Sequence, residues 1–424
     1  MVEQPAFGLR LRELRRVRGL SQAQVAGASM SPSYVSLVES GRRTPNAELA
    51  RALAANLGVP LTDLTEPVPD APAGNRAHRL ELIGRLIAAR SARADGDGGL
   101  ARTELESMLD TATLDEDEDV LWEIRWELAE TLTDAADSAR RAEVLGELLD
   151  DPLTLESPLL QARVATALAA VAREGRTPSQ AIRYAERAVA AAAPLDATTP
   201  ERVRAGIEIL LACGESGEWE QGRATAEELL AIADDVPVRL LRGLVNWTAG
   251  SVLFLLGQPG TEAYFDRALE LIGPDTDVRT WMRLSRAAAA HRVASGDLSA
   301  AQPLLVRARQ ATDLLGGPAD RNRMAAVEIT AALARDDLDG ARRAAATMED
   351  TAGQSYPDQP RCLIALARLA RARRDKRRAT DLYHRAASGY EESGAYRLAA
   401  RAWREASAGP VVEDGPDPHA LIMA

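Results

Sequence analysis

Between Ser31 and Pro45 the chain reads SPSYVSLVESGRRTP. Hydroxyls at Ser33, Tyr34 and Ser36 can hydrogen-bond base edges or phosphates, and the Tyr34 ring can also touch a thymine methyl. Guanidiniums at Arg42 and Arg43 can pair with phosphates, which fixes register without reading sequence. This is contact chemistry and not bond-breaking chemistry. His78, His291, His384 and His419 are isolated, and no H-E-x-x-H, P-loop or G-x-S-x-G pattern occurs. No catalytic centre is expected. Cys213 and Cys362 are the only cysteines and lie far apart, which suits neither a metal site nor a disulfide framework. No metal or cofactor is expected.

Short helices must position these groups. A first helix is predicted over Leu9–Val17, with Leu11, Leu14 and Val17 inward and Gly19 ending it as a C′ glycine. Ser21 opens a second helix as its N-cap, and Val25 and Ala26 turn inward. Gly27 to Met30 makes a tight turn. Ser31 caps a third helix, and Pro32 sits at its first position, where a missing amide costs little and the first turn stays slim. Val35 and Val38 face in at i and i+3, which leaves Ser33, Tyr34, Ser36 and Leu37 facing out. Gly41 ends this helix. A fourth, Asn46–Leu57, carries Leu49, Leu53 and Leu57 to cover the core. Two short helices joined by a tight turn, the second exposing small polar residues, form a helix-turn-helix, whose second helix lies in the major groove of duplex DNA. The charge agrees. The chain is at −12 overall, but residues 1–66 hold eight arginines against six acids, so this head is +2 and the remainder −14.

The stretches LRLRELRRVRGLSQAQVA, SYVSLVESGRRTP and ELARALAANLGV resemble the Cro/repressor-type (XRE) helix-turn-helix regulators of bacteria. The resemblance covers about 56 residues, and its turn is about one residue shorter than the commonest form. It implies that Gln22 contacts the DNA backbone and that Arg10 and Glu39 form an internal salt bridge. With no Arg, Asn or Gln at the start of the third helix, part of the specificity is expected to come from DNA shape.

The rest of the chain is organised differently. At 424 residues it exceeds what one core usually serves. The stretch TEPVPDAPAGN, residues 65–75, has three prolines and reads as a linker. From about His78 to Ala408 the pattern is helical, without alternating β-branched runs. Aromatics are only 4%, while Ala, Leu and Arg, all strong helix formers, abound. Turn signals near Gly175, Gly217, Gly257, Gly296, Asp336 and Asp375 step by 42, 40, 39, 40 and 39 residues. A fixed period of this size marks stacked helical hairpins. The second helices share a grammar, seen in QAIRYAERAVAAA, EAYFDRALELIGP and RATDLYHRAASGY, where an aromatic or long residue precedes a small Ala by about three positions. This resembles the tetratricopeptide repeat, best at Phe265, Ala268 and Pro274. The stretch from Arg79 to Leu149 reads as irregular, with TLDEDEDVLWEIRWELAE (113–130) starting a helix whose acids suit its positive end. The expected fold is all-α, an N-terminal helix-turn-helix bundle plus a C-terminal tetratricopeptide-like α-solenoid. The expected divisions are 1–66 for DNA, 67–77 as linker, 78–408 for the repeats, and 409–424 as a disordered tail.

A helix-turn-helix followed by such hairpins resembles the peptide-sensing transcription regulators of Gram-positive bacteria. That resemblance implies homodimers on palindromic double-stranded operators and a repeat domain that binds a short peptide or another small effector. Peptide backbones are held by Asn, and terminal carboxylates by Arg. Candidate effector residues are Arg239, Arg242 and Asn246 beside Trp247, Asn322 between Arg321 and Arg323, and Trp281 with Arg283. The plainer reading makes these ordinary surface, helix-end or core residues. An alternative function is a DNA-tethered adaptor whose repeats hold a protein partner and no small effector. A third is a scaffold whose head has lost DNA binding. No run of about 18 apolar residues suggests a membrane span, and residues 1–20 lack a signal-peptide pattern, so a cytoplasmic protein is expected.

Overall fold

The computed structural model describes residues 4, 6–18, 20–27, 30–65, 73–111, 118–133, 137–348 and 359–408. Among them every regular element is helical. The chain divides into two compact units, one of Met1–Ser91 with Asp110–Val120, the other of Ala92–Leu109 with Leu121–Ala424.

The first unit opens with α1 (Ala6–Val17), α2 (Gln22–Ala26), α3 (Pro32–Glu39), α4 (Ala47–Leu57) and α5 (Thr62–Thr65), after which α6 (Ala73–Ala94) begins. Each short helix has a cap where the sequence offers one. Ser21 Oγ accepts from the Gln24 amide and Gln24 answers to the Ser21 amide, a complete capping box. Ser31 Oγ accepts from the Tyr34 amide, with Pro32 behind it. Asn46 accepts from the Leu49 amide, and left-handed Gly58 closes α4. Phe7, Leu11, Val25, Val35, Val38, Leu53 and Leu57 form the core. Two expectations shift. α1 starts three residues early, which brings Phe7 inside. On α4 the buried stripe is Ala50, Leu53, Ala54 and Leu57, while Leu49 is half-buried, because the alanines let the helix lie closer. Gly19, part of the Gly27–Met30 turn and most of the linker lie outside the described residues, as does the side chain of Val17.

Further along come α7 (Gly98–Thr111), α8 (Glu118–Thr131), α9 (Ser138–Leu149), α10 (Pro152–Glu156), α11 (Pro158–Glu174), α12 (Pro178–Ala192), α13 (Pro200–Ser216), α14 (Trp219–Ile232), α15 (Arg239–Leu255), α16 (Glu262–Leu271), α17 (Val278–Ala294), α18 (Leu298–Leu315), α19 (Pro318–Leu333), α20 (Leu338–Ala346), α21 (Gln359–Ala372), α22 (Lys376–Glu392) and α23 (Tyr396–Ala408). One turn is reused. A residue with positive φ ends the first helix at Gly96, Arg176, Gly217, Gly257, Gly296, Asp336 and Arg374. At most of these the next amide bonds back five residues, as in Asp97 to Ala92, Asp297 to Arg292, Asp337 to Ala332 and Asp375 to Ala370, the Schellman closure. The same aspartates then cap the second helix through their side chains. One residue thus ends a helix and starts the next. The supposedly irregular stretch carries this turn too, at Gly96–Asp97, two periods before Arg176. It reads as irregular only because the residues between keep no repeat grammar. The acids 115–117 fall outside the described residues, and Glu118 and Asp119 lie in the first turn of α8.

Alanine sets the packing. On α12, Ala181, Ala185, Ala188 and Ala192 are fully buried at three- and four-residue steps, between α11 and α13. Phe265 with Ala268, and Tyr383 with Ala386, are buried as the repeat grammar requires. First helices stack on first helices, α11 on α13, α13 on α15, α17 on α19 and α19 on α21. They are enclosed all round over long stretches. Every residue from Val245 to Leu255 is buried, as expected for a helix inside a large core. The last hairpins return to earlier ones. Arg176 donates to the Gly389 carbonyl at 2.8 Å, Arg397 pairs with Glu218 at 3.2 Å, and α23 packs on α13.

Candidate nucleic-acid interface

The interface is built around one buried carboxylate. Glu39, the last residue of α3, is only 5% exposed. Arg15 grips it with two bonds, Nε to Oε1 at 2.6 Å and Nη2 to Oε2 at 3.0 Å. Gln22 donates its amide to the same Oε2 at 2.8 Å. Arg15 also donates to the Leu20 carbonyl. Burial alone would push the Glu39 carboxyl up, but the Arg15 and Gln22 hydrogen bonds and the Arg15 charge outweigh it and hold it below the usual glutamate value. One cluster therefore ties α1, α2 and α3 together and sets the angle between the two helices of the motif.

This corrects the expected Arg10–Glu39 bridge. Arg10 instead pairs with Glu13 at 2.7 Å and donates to the Asp63 carbonyl. The reason is helical phase. Leu11 is buried, Arg15 lies four residues on and shares its face, and Arg10 is turned about 100° away.

α3 presents what its sequence implies. Val35 and Val38 are fully buried, and Ser33, Ser36 and Leu37 are exposed beside Pro32. Tyr34 differs, being half-buried with its ring against the core edge. Past α3, Gly41 takes the left-handed conformation at φ 73°, and the amides of Arg42 and Arg43 both bond to the Leu37 carbonyl. Both arginine side chains are exposed and make no ion pair among the described residues. Two residues that sequence reasoning passed over hold this loop. Gln4 donates to the carbonyls of Val38 and Arg43, at 3.1 and 2.8 Å. Gly8 lies so close to α3 that a Cβ there would stand 2.1 Å from the Val38 carbonyl oxygen. The one available signal was a glycine inside an otherwise helical pattern.

Comparisons with known proteins agree with this geometry. The Helix-turn-helix domain family matches residues 6–66. The HTH-type transcriptional regulator DdrOP3 of Deinococcus deserti is 39% identical over 101 residues, which cover 23% of this chain and 78% of that protein. This chain belongs to the HTH-type transcriptional regulators. Over its length the regulator is similar in fold to a Rap protein solved in complex with Competence and Sporulation Factor, with a TM-score of 0.50 and 12% identity, covering 94% of this chain and 96% of that one. It also aligns with Bacillus thuringiensis PlcR, solved with the peptide PapR7 and DNA, at a TM-score of 0.35 and 16% identity, over 63% of this chain and 94% of that one.

The effector candidates of the regulator sit on successive first helices. On α15, Arg239 is exposed and pairs with Asp275 at 3.3 Å. Arg242 is half-buried, and Asn246, one turn on, donates to the Arg242 carbonyl at 2.8 Å. Trp281 on α17 is half-buried against the core. Asn322 on α19 is 2% exposed, so it is no surface residue. Beside it, Asp320 takes both Arg286, at 3.2 Å, and Arg323, at 3.3 Å. Burial would raise the Asp320 carboxyl, but Arg286, Arg323 and Arg283 together hold it below the usual value. His291 is a core residue, closed in by Phe254 and Phe265. Cys213 and Cys362 are buried, and burial pushes the Cys213 thiol up to about 12. His419 and the tail after Gly409 lie outside the described residues. No described helix is long and apolar enough to cross a membrane.

Proposed function

We propose that this regulator binds a palindromic operator as a homodimer in the cytoplasm, and that its repeats dimerise and sense a peptide or other small effector. Residues 1–66 form the DNA head, 67–77 join it to the repeats of 78–408, and 409–424 are a tail. In the head, Ser33 and Ser36 face the bases, with Tyr34 at the edge of the contact. Pro32 keeps the entering turn slim. Arg42 and Arg43 take phosphates, and Gln22 adds a backbone contact while bracing Glu39. The observation that carries this reading is the loop after α3. Two exposed arginines without an acidic partner follow the exposed serines, and the loop is pinned by Gln4 and by the close approach at Gly8. An effector role for the repeats is supported by the likeness in fold to the Rap protein solved with Competence and Sporulation Factor.

The test is operator binding by fluorescence anisotropy across a salt series, for the native protein and for Arg42→Ala with Arg43→Ala. Each lost phosphate contact should flatten the slope of log K against log salt by about 0.9 per head, and affinity should fall for specific and unrelated DNA alike. An unchanged slope would remove these arginines from the interface. A stable protein complex with no effector response would favour the adaptor.

A further inference from the structure

One row of arginines has no counterpart in the family resemblance. Arg163, Arg204, Arg242 and Arg283 recur at intervals of 41, 38 and 41 residues, the length of a repeat. Each stands near the start of a first helix, on α11, α13, α15 and α17. Each is also the accessible residue between two buried ones: Ala162 and Val164, Val203 and Ala205, Leu241 and Gly243, Met282 and Leu284. The same slot in the repeat is therefore filled by arginine four times running, the first three on helices that stack directly on one another.

The row is short of close ion pairs, although Glu201 and Glu130 lie near Arg204 and Asp320 lies near Arg283. Arg163 has a long pair with Glu201, at 3.8 Å, and lies over the Trp126 ring at 5.3 Å. The side chains of Arg204, Arg242 and Arg283 make no hydrogen bond or ion pair among the described residues. The Nε atoms of Arg204 and Arg242 are buried and unpartnered. Burial and the charge of Arg163 lower the pKa of Arg204, and the more distant carboxylates of Glu201 and Glu130 offset this only in part. Carboxylates are not scarce in a chain of net charge −12. Elsewhere in this unit they are placed with care, as where Arg173 takes Glu208 and Glu215 at 2.7 and 2.9 Å.

We propose that this row binds a short acidic peptide, whose Asp or Glu side chains each dock on one guanidinium. Guanidinium and carboxylate form paired charge-assisted bonds, so this ligand supplies what the slot lacks. The length of the row favours a chain over a compact anion. Packed helices lie about 8–10 Å apart, so Arg163 to Arg242, two steps over α11, α13 and α15, spans about 16–20 Å, or roughly five to six extended residues. A single phosphate would reach one rung. This rests on the effector reading above and names its ligand class.

The experiment is affinity selection from a random octapeptide pool with the full-length protein, followed by anisotropy on recovered peptides. The expected result is enrichment of Asp and Glu. Arg204→Gln, Arg242→Gln and Arg283→Gln should each weaken the recovered peptides at least tenfold. Arg342→Gln, outside the row, should leave them unchanged. The exposed Arg283 is the variant least able to disturb folding, and circular dichroism melts of all four check that point. Enrichment of neutral or apolar peptides, or acidic peptides that bind the row variants undiminished, overturns the acidic-ligand proposal and leaves the effector reading standing. No enrichment of any peptide overturns the proposal and leaves only a non-peptide effector for the reading above.

Discussion

His291 should make the repeats acid-sensitive in a definable window. Its ring is fully buried, with centroids 4.6 Å from Phe254 and 4.4 Å from Phe265. Nε2 shares a hydrogen bond with Thr261 Oγ1 at 2.9 Å, and Nδ1 has no partner among the described residues. Burial, aided by the Arg292 charge, lowers the ring from 6.5 to about 4, and Glu262 and Asp266 oppose this without reversing it. Between pH 6.5 and 4 the unfolded chain therefore binds a proton that the folded one refuses. Stability is complete above about 6.5 and is lost as pH falls toward 4. At 1.36 kcal/mol per pKa unit, the drop is about 3 kcal/mol. The assay is urea unfolding of the native protein and of His291→Phe at pH 7, 6, 5 and 4, with the ring titration followed by NMR. The difference between the two proteins should change by about 3 kcal/mol in favour of the variant as pH falls. A ring that titrates near 6.5, or parallel pH profiles, would refute the argument.

Three further outcomes follow from the packing. Arg15→Met leaves the Glu39 carboxylate buried without its cation and should cost the head about 3–5 kcal/mol; a loss under 1 kcal/mol in a thermal melt would show that water reaches Glu39 freely. Gly8→Ala places a methyl against the Val38 carbonyl, so operator affinity should fall while the repeats melt unchanged, and normal affinity would mean that α1 can slide off α3 at no cost. Cys213 should resist iodoacetamide at pH 8 in the folded protein and react on unfolding, because its thiol is buried and raised to about 12; fast labelling of the native state would contradict that burial.

Much of the head is legible because its signals are local. Ser21, Ser31 and Asn46 cap within three residues of themselves, and Val35 and Val38 follow a simple period. The Arg15–Glu39 pair is not local. It links residues 24 apart, and choosing Arg15 over Arg10 needs the phase of α1, which Phe7 and Leu11 fix only once the helix is seen to start at Ala6. Gln4 and Gly8 matter through contacts with α3 that no neighbouring residue announces. In the repeats the period survives in the turns, since each demands a left-handed residue, and at Asp97, Asp297, Asp337 and Asp375 a capping aspartate follows it. Arg176, Asp336 and Arg374 fill positions that glycine fills elsewhere, which blurs the pattern. Asn246 and Asn322 are readable as candidates but not as buried ones, because burial depends on helices that pack from other repeats.

The central claim is that α3 and the arginine loop after it read operator DNA. Selection of bound sites from random double-stranded DNA, by the full-length protein at near-physiological salt, tests it most directly. The account predicts an enriched palindrome that Arg42→Ala with Arg43→Ala no longer recovers. Recovery of the same palindrome by that variant, or no enrichment by the native protein with and without peptides recovered on the repeats, would contradict it.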